Sequence, residues 1–592
     1  MANITINNKV IEASPDKTIL QVAKENNILI PHLCYLEGVH EIGACRLCVV
    51  EVEGVKNLMA SCITKVQDGM NIKTNTQRVR NARKVMYELI LSNHPKNCLS
   101  CERNNNCELQ ALGGIIGVEE DRFAGEMSKD IVDISSAAIE RDMSKCILCR
   151  RCETMCNDIQ KIGILNTQER GFKSVINPGQ GLMLDEASCT FCGQCTKVCP
   201  VGALKEKSSI ENVWDALNDG EKVVIVETAP AIRAALGEEF GLPPGTSVTG
   251  KMASALRELG FDYVFDTNFA ADLTIMEEGY EFLGRIKDVF INGKDATFPM
   301  ITSCSPGWIK YIEHYYPDQL DNLSSCKSPH MMLGALTKSF FADRTGIDPE
   351  SIYVVSIMPC TAKKYEITRP EMVNNGLNNV DAVLTTREFA RMIKDAGVDF
   401  LNLEDGTFDS PMGVSSGAAD IFGNTGGVME AAVRTVYELI TGRELPFENL
   451  HIKPIMGVEK IKTASLLIEN PVEEWKALDG VEVNIAVTSG LDGAGQLLEE
   501  IKQGKSKYHF IEIMACPGGC INGGGQPRSD DPEIREKRIS CLYTEDEMKT
   551  LRKSHENKDI LKLYEDFLEK PLGHHSHELL HTTYTKRKRS RD

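Results

Sequence analysis

Apolar and polar positions alternate over ITINNKVIEA (residues 4–13), with Asn7-Asn8 at the centre, which predicts a β-hairpin closed by a two-residue turn. TILQVAKENNI follows with helical spacing and predicts a short amphipathic helix starting near Asp16. LCVVEVEG then predicts a strand. NARKVMYELILSNH (residues 81–94) carries apolar residues every three to four positions, a longer amphipathic helix. From about residue 210 strand-like runs such as VVIVETA and YVVSIMP alternate with helical stretches such as GKMASALRELG and TREFARMIKDAG. That alternation predicts α/β organisation with largely parallel sheets.

The 592 residues exceed a single core, and the composition, 42% hydrophobic and 26% charged, is that of a globular protein. A net charge of −19 argues against nucleic acid or an anionic membrane as the main partner. No apolar run approaches the roughly 20 residues of a membrane helix, and MANITINNKVIEAS lacks the pattern of a secretory signal. The expected location is the cytoplasm. The 21 cysteines change the picture most: 15 fall before residue 200, in tight groups. In a large chain of a reducing compartment, clustered thiols read as metal ligands rather than as a disulfide framework.

The first group, Cys34, Cys45, Cys48 and Cys62, follows the hairpin and helix, a pattern of a small β-grasp domain holding a [2Fe–2S] cluster. The second, His94, Cys98, Cys101 and Cys107, has only three thiols, so a four-ligand cluster needs the imidazole. Such a ligand removes a negative charge and raises the potential; a zinc site is the competing reading. The third and fourth groups are C-x2-C-x2-C-x3-C runs: Cys146, Cys149, Cys152 and Cys156, then Cys189, Cys192, Cys195 and Cys199 before Pro200. In two-cluster ferredoxin runs each fourth cysteine ligates the other cluster. One [4Fe–4S] then takes Cys146, Cys149, Cys152 and Cys199, and the other Cys189, Cys192, Cys195 and Cys156. Asn157 stands where the first run lacks its proline. Four clusters in series make a conduit for electrons near about −400 mV.

Six cysteines remain. Three segments stand out: PMITSCSPGW with Cys304 and Ser305, MPCTAKKYE with Cys360 and Lys363, and EIMACPGGCINGGGQP with Cys516 and Cys520. Glycines beside cysteines let backbone approach a cluster and present N–H donors to it. The third segment also carries a glycine run after Cys520.

Together these segments resemble the three H-cluster signatures of [FeFe]-hydrogenases. The N-terminal segments resemble the iron–sulfur domains shared by that family and the large iron–sulfur subunit of NADH dehydrogenases. The resemblance covers essentially the whole chain. It implies an α+β multidomain protein: a [2Fe–2S] domain over 1–78, a His-ligated [4Fe–4S] domain over 79–137, a two-[4Fe–4S] ferredoxin domain over 138–209 and an H-cluster domain over 210–592. It implies a [4Fe–4S] cubane joined to a di-iron unit bearing CO, cyanide and a dithiolate bridge. Cys520 is then the shared thiolate, Cys360 and Cys516 are cubane ligands, and Lys363 hydrogen-bonds a cyanide. Met358, Met514, Phe422, Pro230 and Ala231 surround the di-iron unit. Protons travel by Arg285, Glu281, Ser324, Glu278 and Cys304. Glu278 and Glu281 are three apart and share a helix face.

This sequence departs from the family pattern at Ser305, where the commoner signature has the fourth cubane cysteine. Ser305 itself, a re-aimed Cys304, or Cys326 of LSSCKSPH can supply the ligand; the monomeric relatives have alanine at the last position. Thiolate suits iron better than a hydroxyl, which ranks both cysteines above Ser305. Ala231 replaces a serine and His330 a glutamine. Cys541 reads as structural.

GTSVTGKM (residues 245–252) ends in Met252 and lacks the hydroxyl of a P-loop. With no GxGxxG after a strand, NAD(H) or flavin must bind a partner. The tail KRKRSR reads as a solvated end or a docking patch. His574, His575 and His577 read as non-ligands ahead of a short ELLH helix. The expected activity is interconversion of H2 with protons and electrons. Electrons pass either to ferredoxin from a single-subunit enzyme, or also to NAD(H) through flavin-containing partner subunits, which the His-ligated segment and TSCSPGW with SSCKSP favour. The other classes weighed are an iron–sulfur sensor or assembly protein and a pure electron-transfer subunit.

Overall fold

The computed structural model describes residues 1–118, 122–123, 125–128, 131–529, 531 and 533–590. The chain divides into two compact units, Met1–Ala187 with Val198–Lys205, and Ser188–Lys197 with Glu206–Asp592.

The first unit opens with the hairpin Ala2–Ile6 and Lys9–Ala13, paired Ile6 to Lys9. Asn7 and Asn8 both have positive φ (49° and 73°), as a type I′ turn demands, and asparagine tolerates that region. These strands join Asn71–Lys73, Val49–Val52 and Met59–Ala60 in a five-stranded mixed sheet. The helix over Ile19–Glu25 starts later than the apolar spacing predicts. Thr18, not Asp16, caps it, in a reciprocal capping box with Gln21. Ile4, Ile6, Ile19, Val22 and Ile72 close the core under the sheet.

The amphipathic helix spans Gln77–Leu91 and buries Val79 and Tyr87 on one face. The Tyr87 hydroxyl donates to the carbonyl of Leu109 (2.7 Å), tying it to the helix Glu108–Ile116. Two short antiparallel pairs, Val132–Asp133 with Ile139–Asp142 and Leu165–Gln168 with Val175–Pro178, follow. The buried ion pair Arg141–Asp133 (2.9 Å) braces the first of them.

The second unit contains two four-stranded sheets. In the first, Tyr263–Asp266, Val223–Thr228, Ile352–Met358 and Ala382–Thr385 lie in that order, all parallel. In the second, Met300–Ile301, Phe510–Met514 and Glu482–Ser489 are parallel, and Ile461–Leu467 is an antiparallel edge. The long helices Asn268–Ile286 and Gly427–Thr441 are buried along much of their length. The near-continuous apolar runs seen in the sequence are the strands covered on both faces. Ligands of open parallel sheets bind beyond the carboxyl ends of the strands. Four strand ends matter here: Thr228, Ile301, Met358 and Met514 lead directly into Ala229-Pro230, Thr302-Ser303-Cys304, Pro359-Cys360 and Ala515-Cys516.

Candidate active site and cluster sites

None of the 21 cysteines, all of them among the described residues, forms a disulfide. In the first unit the Cys48 and Cys62 sulfurs lie 3.3 Å apart, and the Cys45 N–H points at the Cys34 sulfur (3.5 Å). Proton sharing within these pairs holds Cys45 down to about 6 and Cys48 to about 7, and pushes Cys34 and Cys62 up. Four sulfurs that cannot all stay protonated or all ionise suit a cation that takes them as thiolates.

His94 is half-buried, and its shielded Nδ1 has no hydrogen-bond partner. Burial lowers its pKa, so the ring is held neutral, the form that ligates. An orphaned imidazole nitrogen four residues before Cys98 fits the fourth donor of a cluster.

Cys146, Cys149, Cys152 and Cys199 line one cavity, walled by Met143, Leu165, Ile176 and Val201. The thiol of Cys149 is pushed up by burial and by Cys199. The backbone here is unusual: Leu148 (φ 54°) and Arg150 (φ 66°) sit in the left-handed region without being glycine. The Leu148 N–H points at the Cys146 sulfur (3.4 Å). The second run repeats the conformation at Phe191 (φ 54°) and Gly193 (φ 68°). Strain repeated at matching positions marks a functional constraint, here amides turned toward sulfur. Cys189, Cys192 and Cys195 belong to the second unit, whereas Cys156 and Cys199 belong to the first.

The strand ends of the second unit meet around a cavity lined by Cys304, Ser305, Cys360 and Cys520. Lys363, Met358, Met514, Phe422, Pro230 and Ala231 line the same space. Sequence reasoning missed Thr267, Ala271, Gly423 and Pro329 of the wall; only Gly423, in a glycine-rich stretch, had any signal. Cys516 lies behind Cys520 and Cys360, its sulfur 3.9 Å from the Cys192 carbonyl oxygen. Burial pushes up all three thiols, Cys520 to about 12. The glycines hold this corner shut: a Cβ on Gly523 would lie 2.2 Å from the Pro359 oxygen, and one on Gly519 (φ 96°) 2.6 Å from the Thr425 nitrogen. Soft sulfur donors converging on a small, mostly apolar space fit a thiolate-anchored iron centre.

Lys363 donates to the Cys304 carbonyl (3.1 Å) and to Glu366 (2.7 Å), leaving one ammonium N–H toward the cavity. Burial alone would raise Glu366, but Lys363 and His330 hold it at about 2. His330 bridges Ser356 (3.1 Å) and Glu366 (2.7 Å), and burial lowers it to about 4, so it is a neutral strut.

The carboxylate pair lies on the helix Asn268–Ile286. Glu278 is buried and held by the Ser324 hydroxyl and the Ser303 N–H, and burial with the Glu281 charge raises it to about 8. Ser324 Oγ also lies 3.1 Å from Glu281, which Arg285 grips at 2.8 Å near the surface. Burial and Glu278 push the Cys304 thiol well up, so it stays protonated. Arg285, Glu281, Ser324, Glu278 and Cys304 thus form a graded series from the protein rim to the cavity.

Cys326 does not line the cavity. Its sulfur lies with Glu281 and His581, all within 4.8 Å of one another. Ser305 is placed better, with its Oγ accepting from the Ala515 N–H (3.2 Å) beside Cys516. Two other expectations need correction. His574, His575 and His577 fall inside a helix, His574–Leu580, rather than before one. The tail is not a free end: Arg587 pairs with Glu313 (2.6 Å) and Arg589 donates to the Tyr315 carbonyl (2.6 Å), while Arg591 lies outside the described residues. Cys541 packs in a small apolar cluster, as read. Lys251 of the P-loop look-alike is spent on the carbonyls of Leu401 and Leu403.

Residues 222–524 match the family described as iron only hydrogenase large subunit, C-terminal domain, and 532–587 the iron hydrogenase small subunit. Residues 1–77 match a 2Fe-2S cluster binding domain, 83–122 the NADH-ubiquinone oxidoreductase-G iron-sulfur binding region, and 145–203 a 4Fe-4S dicluster domain. The chain is 52% identical to the NADP-reducing hydrogenase subunit HndD of Solidesulfovibrio fructosivorans, over 100% of both. It is 42% identical to iron hydrogenase 1 of Clostridium pasteurianum, over 99% of this chain and 100% of that one. A variant of apo [FeFe]-hydrogenase HydA1 from Chlamydomonas reinhardtii superposes with a TM-score of 0.58 at 43% identity, covering 64% of this chain and 99% of that one.

Proposed function

The chain belongs to the iron-only hydrogenases and interconverts dihydrogen with protons and electrons, and from that premise we propose how its own residues divide the work. The observation that carries the reading is the cavity at four strand ends where Cys304, Cys360, Cys520, Lys363 and the two methionines meet. Cys360, Cys516 and Cys520 hold the H-cluster, with Ser305 as the fourth donor, because Cys326 faces elsewhere and Cys304, kept protonated by burial and Glu278, is the thiol of the proton series. When bound, that cofactor supplies the electrophilic metal and the adjacent base for heterolytic cleavage of dihydrogen. Lys363, clamped by Glu366, presents its remaining N–H to an anionic ligand of the cluster. Met358, Met514 and Phe422 exclude water.

The side chains of the proton series act in order. Cys304 stays protonated at the cavity wall. Neutral Glu278 donates to Ser324, whose hydroxyl in turn donates to Glu281. Arg285 holds Glu281 at the rim. A carboxyl tuned to about 8 can both give and take a proton near neutrality.

For electrons, Cys34, Cys45, Cys48 and Cys62 hold a [2Fe–2S] cluster, and His94, Cys98, Cys101 and Cys107 a [4Fe–4S] cluster. The two ferredoxin runs hold two more. The Cys516 sulfur beside the Cys192 carbonyl (3.9 Å) supports a conduit that ends next to the H-cluster within the second unit. Full-length similarity to a protein named as an NADP-reducing hydrogenase subunit supports a nicotinamide-binding partner subunit; a flavin in that partner and ferredoxin as a second electron carrier belong to the same proposal.

The test is H2 uptake and evolution by the matured chain, with infrared spectra in the CO and cyanide region. Bands and turnover that vanish together in Cys520→Ala are expected. Turnover that survives in a Cys360→Ala, Cys520→Ala double variant would overturn the ligand assignment.

A further inference from the structure

Cys326 and His581 face each other across an isolated antiparallel bridge. The flanking bonds are Lys327 N–H to the Leu580 carbonyl (2.8 Å) and Thr582 N–H to the Ser325 carbonyl (2.7 Å). That pattern makes Cys326 and His581 the non-hydrogen-bonded pair of the bridge, whose side chains sit closest and on one face. Glu281 completes a group whose sulfur, nitrogen and oxygen atoms all lie within 4.8 Å of one another. All three are buried or nearly so, Cys326 at 1% exposure.

The histidine is already oriented as metal-binding histidines are. Its Nε2 lies 3.0 Å from Glu277, and Glu277 is further held by Tyr564 (2.6 Å) and the Leu572 N–H (2.9 Å). A carboxylate at Nε2 fixes the proton there and leaves the Nδ1 lone pair pointing at Ser325 (2.8 Å) and the Glu281 side. Arg285 occupies one oxygen of Glu281, while the other accepts from the Ser324 hydroxyl and the Ser325 N–H, and the Ser325 hydroxyl lies between it (3.1 Å) and His581 Nδ1 with one proton to give to either. A cation can displace those hydroxyls.

We propose that Glu281, Cys326 and His581 form a binding site for Zn2+, whose occupancy blocks proton transfer at Glu281. One thiolate, one imidazole and one carboxylate are the ligand types zinc takes, at roughly 2.0–2.3 Å, with a fourth position left for water. The group needs to contract by about 1 Å to reach tetrahedral ligand separations. The thiol proton of Cys326 leaves to solvent on binding. Harder cations such as Mg2+ and Ca2+ find too few oxygens here. Blocking of turnover rests on the proton series proposed above; binding does not.

The experiment titrates zinc chloride into the matured full-length enzyme in a non-chelating buffer, reading H2 oxidation, iron content and zinc-edge X-ray absorption. Expected are about one zinc per chain, one sulfur neighbour near ~2.3 Å, unchanged iron, and inhibition reversed by a chelator. Cys326→Ala keeps its uninhibited rate, loses the sulfur neighbour, and needs at least about tenfold more zinc for half-inhibition; His581→Gln shifts the same way. Should the alanine variant be recovered without its iron, Cys326→Ser preserves the volume and takes its place. Zinc bound with sulfur coordination in the Cys326 variants, or no zinc bound by the parent, overturns the site. Cys326-dependent binding without inhibition upholds the site and overturns the proton series.

Discussion

Glu278→Gln replaces a buried carboxyl by its neutral isostere. With its pKa raised to about 8, Glu278 carries about ten protons for every ionised copy at pH 7. The amide therefore resembles the resting side chain in charge and size, and keeps a donor for Ser324 and an acceptor for the Ser303 N–H. It cannot release and recover a proton. Loss of a positioned acid–base group costs about 10²–10⁴ in rate, or roughly 3–5 kcal/mol at 1.36 kcal/mol per decade. Stability moves the opposite way. The unfolded carboxyl ionises near 4.5 and the folded one near about 8, so parent stability falls as pH rises through that window. The shift corresponds to at most roughly 5 kcal/mol, a term the variant lacks. H2-dependent viologen reduction and H2/D2O exchange across pH 6–9, approximately the window of Glu278 ionisation, measure the first effect. Urea unfolding midpoints at about pH 5 and pH 8 measure the second. An unchanged exchange rate in Glu278→Gln would falsify the proton series. Equal pH slopes of stability for the two proteins would show that Glu278 is not held neutral.

Lys363→Met keeps the stem of the side chain and removes the donor to the cavity. Turnover falls at least about 100-fold and cyanide infrared bands shift, because the lost hydrogen bond is charge-assisted; unshifted bands would place the lysine away from the cofactor. His94→Cys adds a negative charge at its cluster and lowers that potential, read by redox titration with electron paramagnetic resonance; an unmoved potential removes His94 as ligand. Glu366→Gln leaves Lys363 buried without its counter-ion. Because the folded Glu366 ionises near about 2, the pair stabilises the parent above pH ~4.5 and loses that contribution as pH falls toward 2, so the variant loses about 3 kcal/mol or more at neutral pH and less in acid. Thermal melts against pH check this.

The parts of the site legible in the sequence were those set by local spacing. Cysteines three and four apart meet whatever the rest of the chain does, and Cys146, Cys149 and Cys152 share a cavity accordingly, which the ferredoxin pattern of the second run completes with Cys199. The Asn7-Asn8 turn and the paired carboxylates at Glu278 and Glu281 are likewise short-range facts. What escaped was set by distant pairing. His581 follows three histidines read as non-ligands, and nothing near it reveals that an isolated bridge brings Cys326, 255 positions earlier, to its side. The basic tail carried only a charge pattern, yet Glu313, buried on the helix Pro306–Tyr315, gives Arg587 its place. Ranking Cys326 over Ser305 by ligand softness alone was sound chemistry applied to a side chain that faces another neighbourhood.

Residues from four separate strand ends surround the catalytic cavity, the earliest at Ala229 and the last at Cys520. A ribosome has therefore released most of the polypeptide before the wall can exist, and no nascent fragment ending short of Cys520 can retain a guest there. On the cofactor assignment proposed above, insertion must address a finished product, choosing among folded molecules rather than accompanying their synthesis.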